Sequence, residues 1–242
     1  MSEATGSVLV ACPTYAGKQY ALDEWVDGFK ALRYEPKFAY QVDNTSQGTE
    51  YFEEIKKRGI DCSYLSPWPD WDRTFKRCWE LILSRAQAFG CYWVLSMEAD
   101  NVVAPEGLEV MVNMALYGAV HLVTHAYPMH ESAAKASGMK ATDWYYHELG
   151  CMLMSRQLLE KAMADYDTYN NVPQAIEATN QKWCGGRIVL TNRFEVKHLD
   201  GYEMAYGNLA PSAKKGLICP TPKMPEDFAT KRPPCLEKPI EA

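Results

Sequence analysis

An α/β fold, with helices flanking a mostly parallel sheet, is what three features of this sequence predict. Short β-rich runs alternate with longer segments of helical apolar spacing over residues 7–101, and Gly and Pro fall at the joints. Polar and acidic residues follow the apolar runs, where the carboxyl ends of parallel strands gather ligands. The chain has 242 residues and 47% hydrophobic content, which suits one large domain with a full core better than two.

The elements follow in order. Residues 7–11 form a first strand, ended by Cys12-Pro13-Thr14-Tyr15-Ala16-Gly17. Residues 20–34 then place Ala21, Leu22, Trp25, Val26, Phe29 and Leu32 at helical spacing. A second strand over 38–42 ends at Asp43-Asn44-Thr45-Ser46, and a helix over 47–58 is closed by Gly59. A third strand spans 60–65. A long helix over 71–89 carries Phe75, Cys78, Trp79, Ile82, Leu83 and Ala86 on one face and stops at Gly90. The second half is less regular, with a helix over 105–116, strands over 120–124 and 150–154, a helix over 155–166, and strands over 187–191 and 194–198. Of fourteen prolines, seven lie from Pro211 onward, so 1–210 is expected to be the folded domain and 211–242 an extended Pro-rich arm or tail.

The most informative run is Tyr92-Trp93-Val94-Leu95-Ser96-Met97-Glu98-Ala99-Asp100-Asn101, a buried strand emptying into a loop. In extended chain, residues two apart point the same way, so Glu98 and Asp100 can face one spot. Hard oxygen ligands there suit Mg²⁺ or Mn²⁺, and such an ion suits a diphosphate. The alternative is that the pair caps free N–H groups and needs no metal.

Composition excludes several classes. A formal charge of −6 and a pI near 5.5 give no electrostatic case for wrapping nucleic acid or an anionic membrane. Residues 1–6 lack the pattern of a secretory signal, and the best apolar run, 111–123, is broken by Asn113, Gly118 and His121. The eight cysteines contain no Cys-x-x-Cys pair, so scattered reduced thiols and a cytoplasmic location are expected. Ala16-Gly17-Lys18-Gln19 lacks the first glycine and the hydroxyl of a P-loop, and no Gly-x-Gly-x-x-Gly follows the first strand. A phosphatase would need an aspartate nucleophile where Glu98 stands. His121, His125 and His130, spaced four and five apart, do not share a face, and are left out of any metal site.

Taken in order, Ala11-Cys12-Pro13-Thr14-Tyr15, Val42-Asp43-Asn44-Thr45-Ser46, Glu98-Ala99-Asp100, the segment from His147 to Met154, and Val196-Lys197-His198-Leu199-Asp200-Gly201 resemble the GT-A glycosyltransferases, particularly the family-2-like group. The resemblance implies a GT-A-like (Rossmann-like) sheet and metal-dependent transfer of a sugar from a nucleotide diphosphate sugar, a UDP-sugar favoured, to a hydroxyl acceptor. It implies that Pro13, Thr14 and Tyr15 hold the base, with Asp43 bonded to base or ribose. Each also has a plainer reading, Tyr15 as a loop aromatic covering the sheet edge and Asp43 as a helix cap. Asp100 would bind Mn²⁺ or Mg²⁺, with Glu98 on the ribose or the metal's water shell and His198 as third ligand or, alternatively, a core imidazole.

Gly201 keeps the His-x-x-Gly part of a diphosphate-binding His-x-x-Gly-x-x-Lys segment, with Lys214 or Lys215 available for the absent lysine. Arg77, in the cluster Arg73, Lys76 and Arg77, would lie over the nucleotide-sugar unless the cluster is simply a solvated helix face. An inverting transfer needs a carboxylate base. No Glu-Asp pair occurs over 150–198, leaving Glu177 and Glu148 as candidates. Trp144, Tyr145 and Tyr146 could face the acceptor, whether a glycan, a lipid-linked precursor, a protein or a hydroxylated DNA base. The rival is a nucleotide-sugar-binding or interaction protein of the same fold without turnover.

Overall fold

The structure is a computed structural model that describes residues 6–46, 48–125, 127–128, 145–146, 149–169, 171–191 and 193–199. Its centre is a seven-stranded sheet. Strand β1 (Val8–Thr14) pairs in parallel with β2 (Lys37–Asp43) and with β4 (Trp93–Met97), and β2 pairs in parallel with β3 (Asp61–Tyr64). On the other side of β4, β9 (Cys151–Ser155) runs antiparallel between β4 and β6 (Leu122–His125), and β10 (Val189–Thr191) lies parallel to β6. The order is β10-β6-β9-β4-β1-β2-β3. Two short pairs complete the strands: β5 (Asn101–Val103) with β11 (Val196–His198), and β7 (Tyr127–Pro128) with β8 (Tyr145–Tyr146).

Strands buried on both faces favour apolar residues along their whole length, and the central strands β1 and β4 carry them at all but Thr14 and Ser96. Val8, Val10 and Cys12 of β1, with Leu95 and Met97 of β4, point into one core. There they meet Leu22, Trp25 and Val26 of α1 (Leu22–Ala31), Ile55 of α2 (Glu50–Lys57), and Leu108 and Met111 of α4 (Gly107–Gly118). Leu9, Ala11, Val94, Met152 and Met154 point to the opposite core, against Cys78, Trp79 and Ile82 of α3 (Trp71–Ala88), Leu158 and Leu159 of α5 (Arg156–Ala164), and Ala175 and Ile176 of α6 (Val172–Cys184).

The expected α/β class and mostly parallel sheet are found, and most elements lie within a few residues of their expected positions. Helix α6 was not expected. Its signals are present, namely Asn171 accepting from the Gln174 amide at 2.9 Å, a proline in the first turn, and Gly185 at φ 67°. The strand expected to run on through Asp100 instead stops at Met97. The Asn101 amide donates to the Glu98 carbonyl at 2.9 Å, making a turn before β5. The expected tail, from Pro211, lies outside the described residues. Among the described residues no helix is long and apolar enough to cross a membrane, and the six cysteines are free thiols.

Candidate nucleotide and metal site

Two strand ends build the site. At the end of β1, the loop is tied to the loop after β2. The Asn44 amide donates to the Thr14 carbonyl at 2.8 Å and the Ala16 amide to Thr45 Oγ1 at 2.8 Å. Thr45 in turn donates from its amide and its hydroxyl to Asp43 Oδ1 at 2.9 and 2.6 Å. A 3₁₀ turn (Ala16–Ala21) follows, opened by the Lys18 amide on the Tyr15 carbonyl at 2.8 Å. It leaves the Tyr15 ring 44% exposed. Gly17 makes room for that ring, since a Cβ there would collide with it.

At the end of β4, the Glu98 amide donates to the Gly150 carbonyl at 3.1 Å, and Asn101 Nδ2 donates to the same oxygen at 2.9 Å. Strand β11 arrives alongside, with His198 opposite Asn101 and the Leu199 amide donating to the Asp100 carbonyl at 2.7 Å. The Glu98–Asn101 turn is thus held from both flanks.

The two ends enclose a cavity of about 160 Å³. Its polar lining is Lys18, Asn44, Ser96, Glu98 and Asp100, and its aromatic lining is Tyr15, Trp71, Phe75 and Trp79, with the Trp71 and Phe75 rings stacked 5.8 Å apart. Cys12, Pro13, Thr14, Ala99 and Leu149 complete the lining. Asp100 is 2% exposed, and its Oδ2 carries an ion pair with the Lys18 ammonium. The Tyr20 hydroxyl lies 3.1 Å from the same oxygen and 3.2 Å from the Leu199 carbonyl.

Charge inside this enclosure alters its titratable groups. Burial pulls the Lys18 ammonium down, but the Asp100 carboxylate, reinforced by Glu98, leaves it above its ordinary value. Burial, with the Glu98 and Asp100 charges behind it, pushes the Cys12 thiol well up, so it is no nucleophile. Burial also raises Asp43, with the Thr45 bonds opposing it.

The structure therefore brings Pro13, Thr14, Tyr15, Glu98 and Asp100 to one cavity. It does not bring Asp43 to the lining; that carboxylate is wholly buried, closes the turn at Thr45 and is also met by the Phe52 amide in the first turn of α2, as the helix-cap alternative expects. Nor does it bring Arg77, which pairs with Glu80 at 2.7 Å on the outer side of α3. Helix phase is the reason: Trp71, Phe75 and Trp79 recur every four residues on the inner face, and Arg77 sits two beyond Phe75. Glu177 lies on α6, which packs against α5 and α3, and it does not line the cavity. Glu148, Gly201, His130, Trp144, Lys214, Lys215 and the side chains of Tyr145, Tyr146 and His198 lie outside the described residues. His121 bonds to Ser155 Oγ at 2.8 Å, and His125 to the Phe194 carbonyl at 2.7 Å. Among the described residues no three His, Cys, Asp or Glu side chains gather as a metal cluster.

Sequence reasoning missed Lys18, Tyr20 and the Trp71–Phe75 wall. Lys18 was weighed only as part of a failed P-loop, and Phe75 only as a core position.

No family model and no curated protein sequence matches the chain. Solved structures do. S. aureus TarS 1-349 in complex with UDP-GlcNAc is 11% identical at a TM-score of 0.52 over 78% of this chain and 56% of that one. The same segment in complex with UDP is 13% identical at 0.51 over 78% and 58%. A cytidylyltransferase from Leptospira borgpetersenii serovar Hardjo-bovis (strain JB197) is 14% identical at 0.51 over 78% and 76%. The chain spans about a third of the longer TarS structure and somewhat over half of the 1-349 segment. At these identities the likeness is one of fold.

Proposed function

We propose that this chain is a GT-A-type glycosyltransferase that moves a sugar from a nucleotide diphosphate sugar, a UDP-sugar favoured, to a hydroxyl acceptor. The observation that carries this reading is the single cavity at the ends of β1 and β4, lined both by aromatic rings and by Lys18, Glu98 and Asp100. Flat rings suit a nucleobase and the charged wall suits a diphosphate and its counter-ion. That TarS, a fold neighbour, has been crystallised with UDP and with UDP-GlcNAc supports the choice of donor.

The donor set fits Mn²⁺ or Mg²⁺. Asp100 and Glu98 offer hard oxygens at one cavity, Asp100 already holds a cationic group, and β11 runs His198 alongside. Asp100 and His198 would hold the ion, with Glu98 on the ribose or the ion's water shell. When bound, such an ion neutralises charge on the departing diphosphate. The chain's own part is to stack the base on Tyr15, to keep the β1 loop in place through Asp43 and Thr45, and to exclude water with Trp71 and Phe75. Gly201 belongs to the diphosphate side of the same reading. Of the two candidate bases, Glu148 adjoins Leu149, which lines the cavity, and is preferred to Glu177.

Among the described residues, Glu98 and Asp100 are the only carboxylates lining the cavity, and this favours a second reading, a nucleotide-sugar-binding protein without turnover. Incubation with a panel of UDP- and GDP-sugars and Mn²⁺, followed by mass spectrometry, decides between them. Released nucleoside diphosphate supports the enzyme. Saturable, metal-dependent binding with no turnover sinks it.

A further inference from the structure

We propose that Lys18 and a divalent cation compete for Asp100, and that the cation, on binding, frees the Lys18 ammonium to take the donor's diphosphate. The diphosphate half rests on the nucleotide-sugar reading above; the competition for Asp100 does not.

The Lys18 ammonium is ion-paired with Asp100 Oδ2, the oxygen that the Tyr20 hydroxyl also approaches. A divalent ion and an ammonium on one carboxylate repel each other at close range, so each weakens the hold of the other. The two partners differ in freedom. Asp100 is 2% exposed and sits in a turn pinned by Gly150 and Leu199, whereas the Lys18 side chain is 31% exposed on a four-carbon stem. The lysine is the one that can leave.

It has little room to leave far. Its backbone belongs to the 3₁₀ turn fixed by the Tyr15 carbonyl and Thr45 Oγ1, and its side chain forms part of the cavity wall. Glu98 and Asp100 together outnumber the one lysine on that wall. A divalent ion reverses the balance, and an anion such as a diphosphate restores it. An ammonium is a compact point charge with three donors, well suited to phosphate oxygens. Lys18 is thus a placeholder that holds Asp100 in its orientation before the cation binds, and a positioning group for the diphosphate afterwards.

The test is calorimetric titration of MnCl₂ into the full chain without nucleotide, for the wild type, K18M and K18M/D100N, with thermal melts to establish folding. The expected result is Mn²⁺ affinity higher by about tenfold in K18M, one decade being the scale of a close opposite charge, and loss of that gain in the double variant. Equal or weaker Mn²⁺ binding by K18M, or binding by neither protein, overturns the competition. Should K18M fold poorly, K18Q carries the same expectation. UDP is then titrated with Mn²⁺ present: K18M is expected to lose affinity for UDP by about tenfold while affinity for uridine holds. Unchanged UDP affinity overturns the diphosphate half. If wild type binds no UDP but K18M still gains Mn²⁺ affinity, the donor reading and the diphosphate half fail together and the competition stands.

Discussion

Replacing Asp100 by alanine tests the centre of the site in two independent currencies. The carboxylate is buried and receives the Lys18 ammonium and the Tyr20 hydroxyl on one oxygen. Hydrogen bonds to a charged group contribute on the order of 1.5–3 kcal/mol each. Much of that is recovered in the variant, because Lys18 is already a third exposed and turns to water, and the Tyr20 hydroxyl keeps the Leu199 carbonyl within 3.2 Å. Removing the buried charge also removes its desolvation cost. The net loss is about 1–2 kcal/mol, and at roughly 2–4 °C per kcal/mol for a chain of this size the melting temperature falls by about 2–8 °C. Mn²⁺-dependent UDP binding should fall far more, by at least about a hundredfold, since even changes that only reorient a metal ligand cost tenfold to a hundredfold. Differential scanning calorimetry and UDP titration with and without Mn²⁺ read both effects. A folded variant whose Mn²⁺-dependent UDP binding is unchanged would show that Asp100 is not the metal ligand.

Three further outcomes are expected. Gly17→Ala should displace the Tyr15 ring, lowering uridine affinity with little change in melting temperature; unchanged uridine affinity would remove Tyr15 from the base site. Arg77→Ala should leave UDP affinity intact and alter stability by less than about 0.5 kcal/mol, because the Glu80 pair is solvent-exposed; a large loss of UDP affinity would return Arg77 to the site. Asp43 is raised by burial, so the native state holds its proton where the unfolded chain, with a carboxyl near about 3.9, has lost it. Stability from this group therefore falls as pH rises from about 4 through the folded value. Urea denaturation at a series of pH values should show the wild type losing stability relative to Asp43→Asn over that window, and parallel profiles would refute the assignment.

The fold was legible where each face of an element gave a simple signal. Strands β1 and β4 are apolar at all but Thr14 and Ser96 because both faces are covered, and α3 repeats large residues every three or four positions. Helix α6 escaped because Thr179 and Asn180 are buried among its apolar residues, with Asn180 Nδ2 donating to the Arg187 carbonyl at 3.0 Å, so its inner stripe reads as polar. The direction of β9 could not be read, since a buried strand has the same composition whichever way it runs. In the site, the outer position of Arg77 was calculable from the phase of α3. The role of Lys18 was not, because its partner is 82 residues away and only the adjacency of β1 and β4 brings them together.

The acidic pair shares one cavity, but by a geometry other than the expected alternation. Extended alternation would indeed put Glu98 and Asp100 on one side. Continued from β4, however, that side is the one to which Val94 points, beneath α3 and among Cys78, Trp79 and Ile82. Two carboxylates there would be desolvated under a helix with no cation to meet them. Ending the strand at Met97 and turning from Glu98 to Asn101 lifts both acids to the sheet's carboxyl end instead, where Lys18 from the neighbouring β1 loop reaches Asp100. The turn is held by Gly150 on one flank and by Leu199 on the other, so the acids owe their position to segments 50 and 100 residues away along the chain. Sequence proximity supplied the pair, and the contacts of its turn with Gly150 and Leu199 brought it to the cavity.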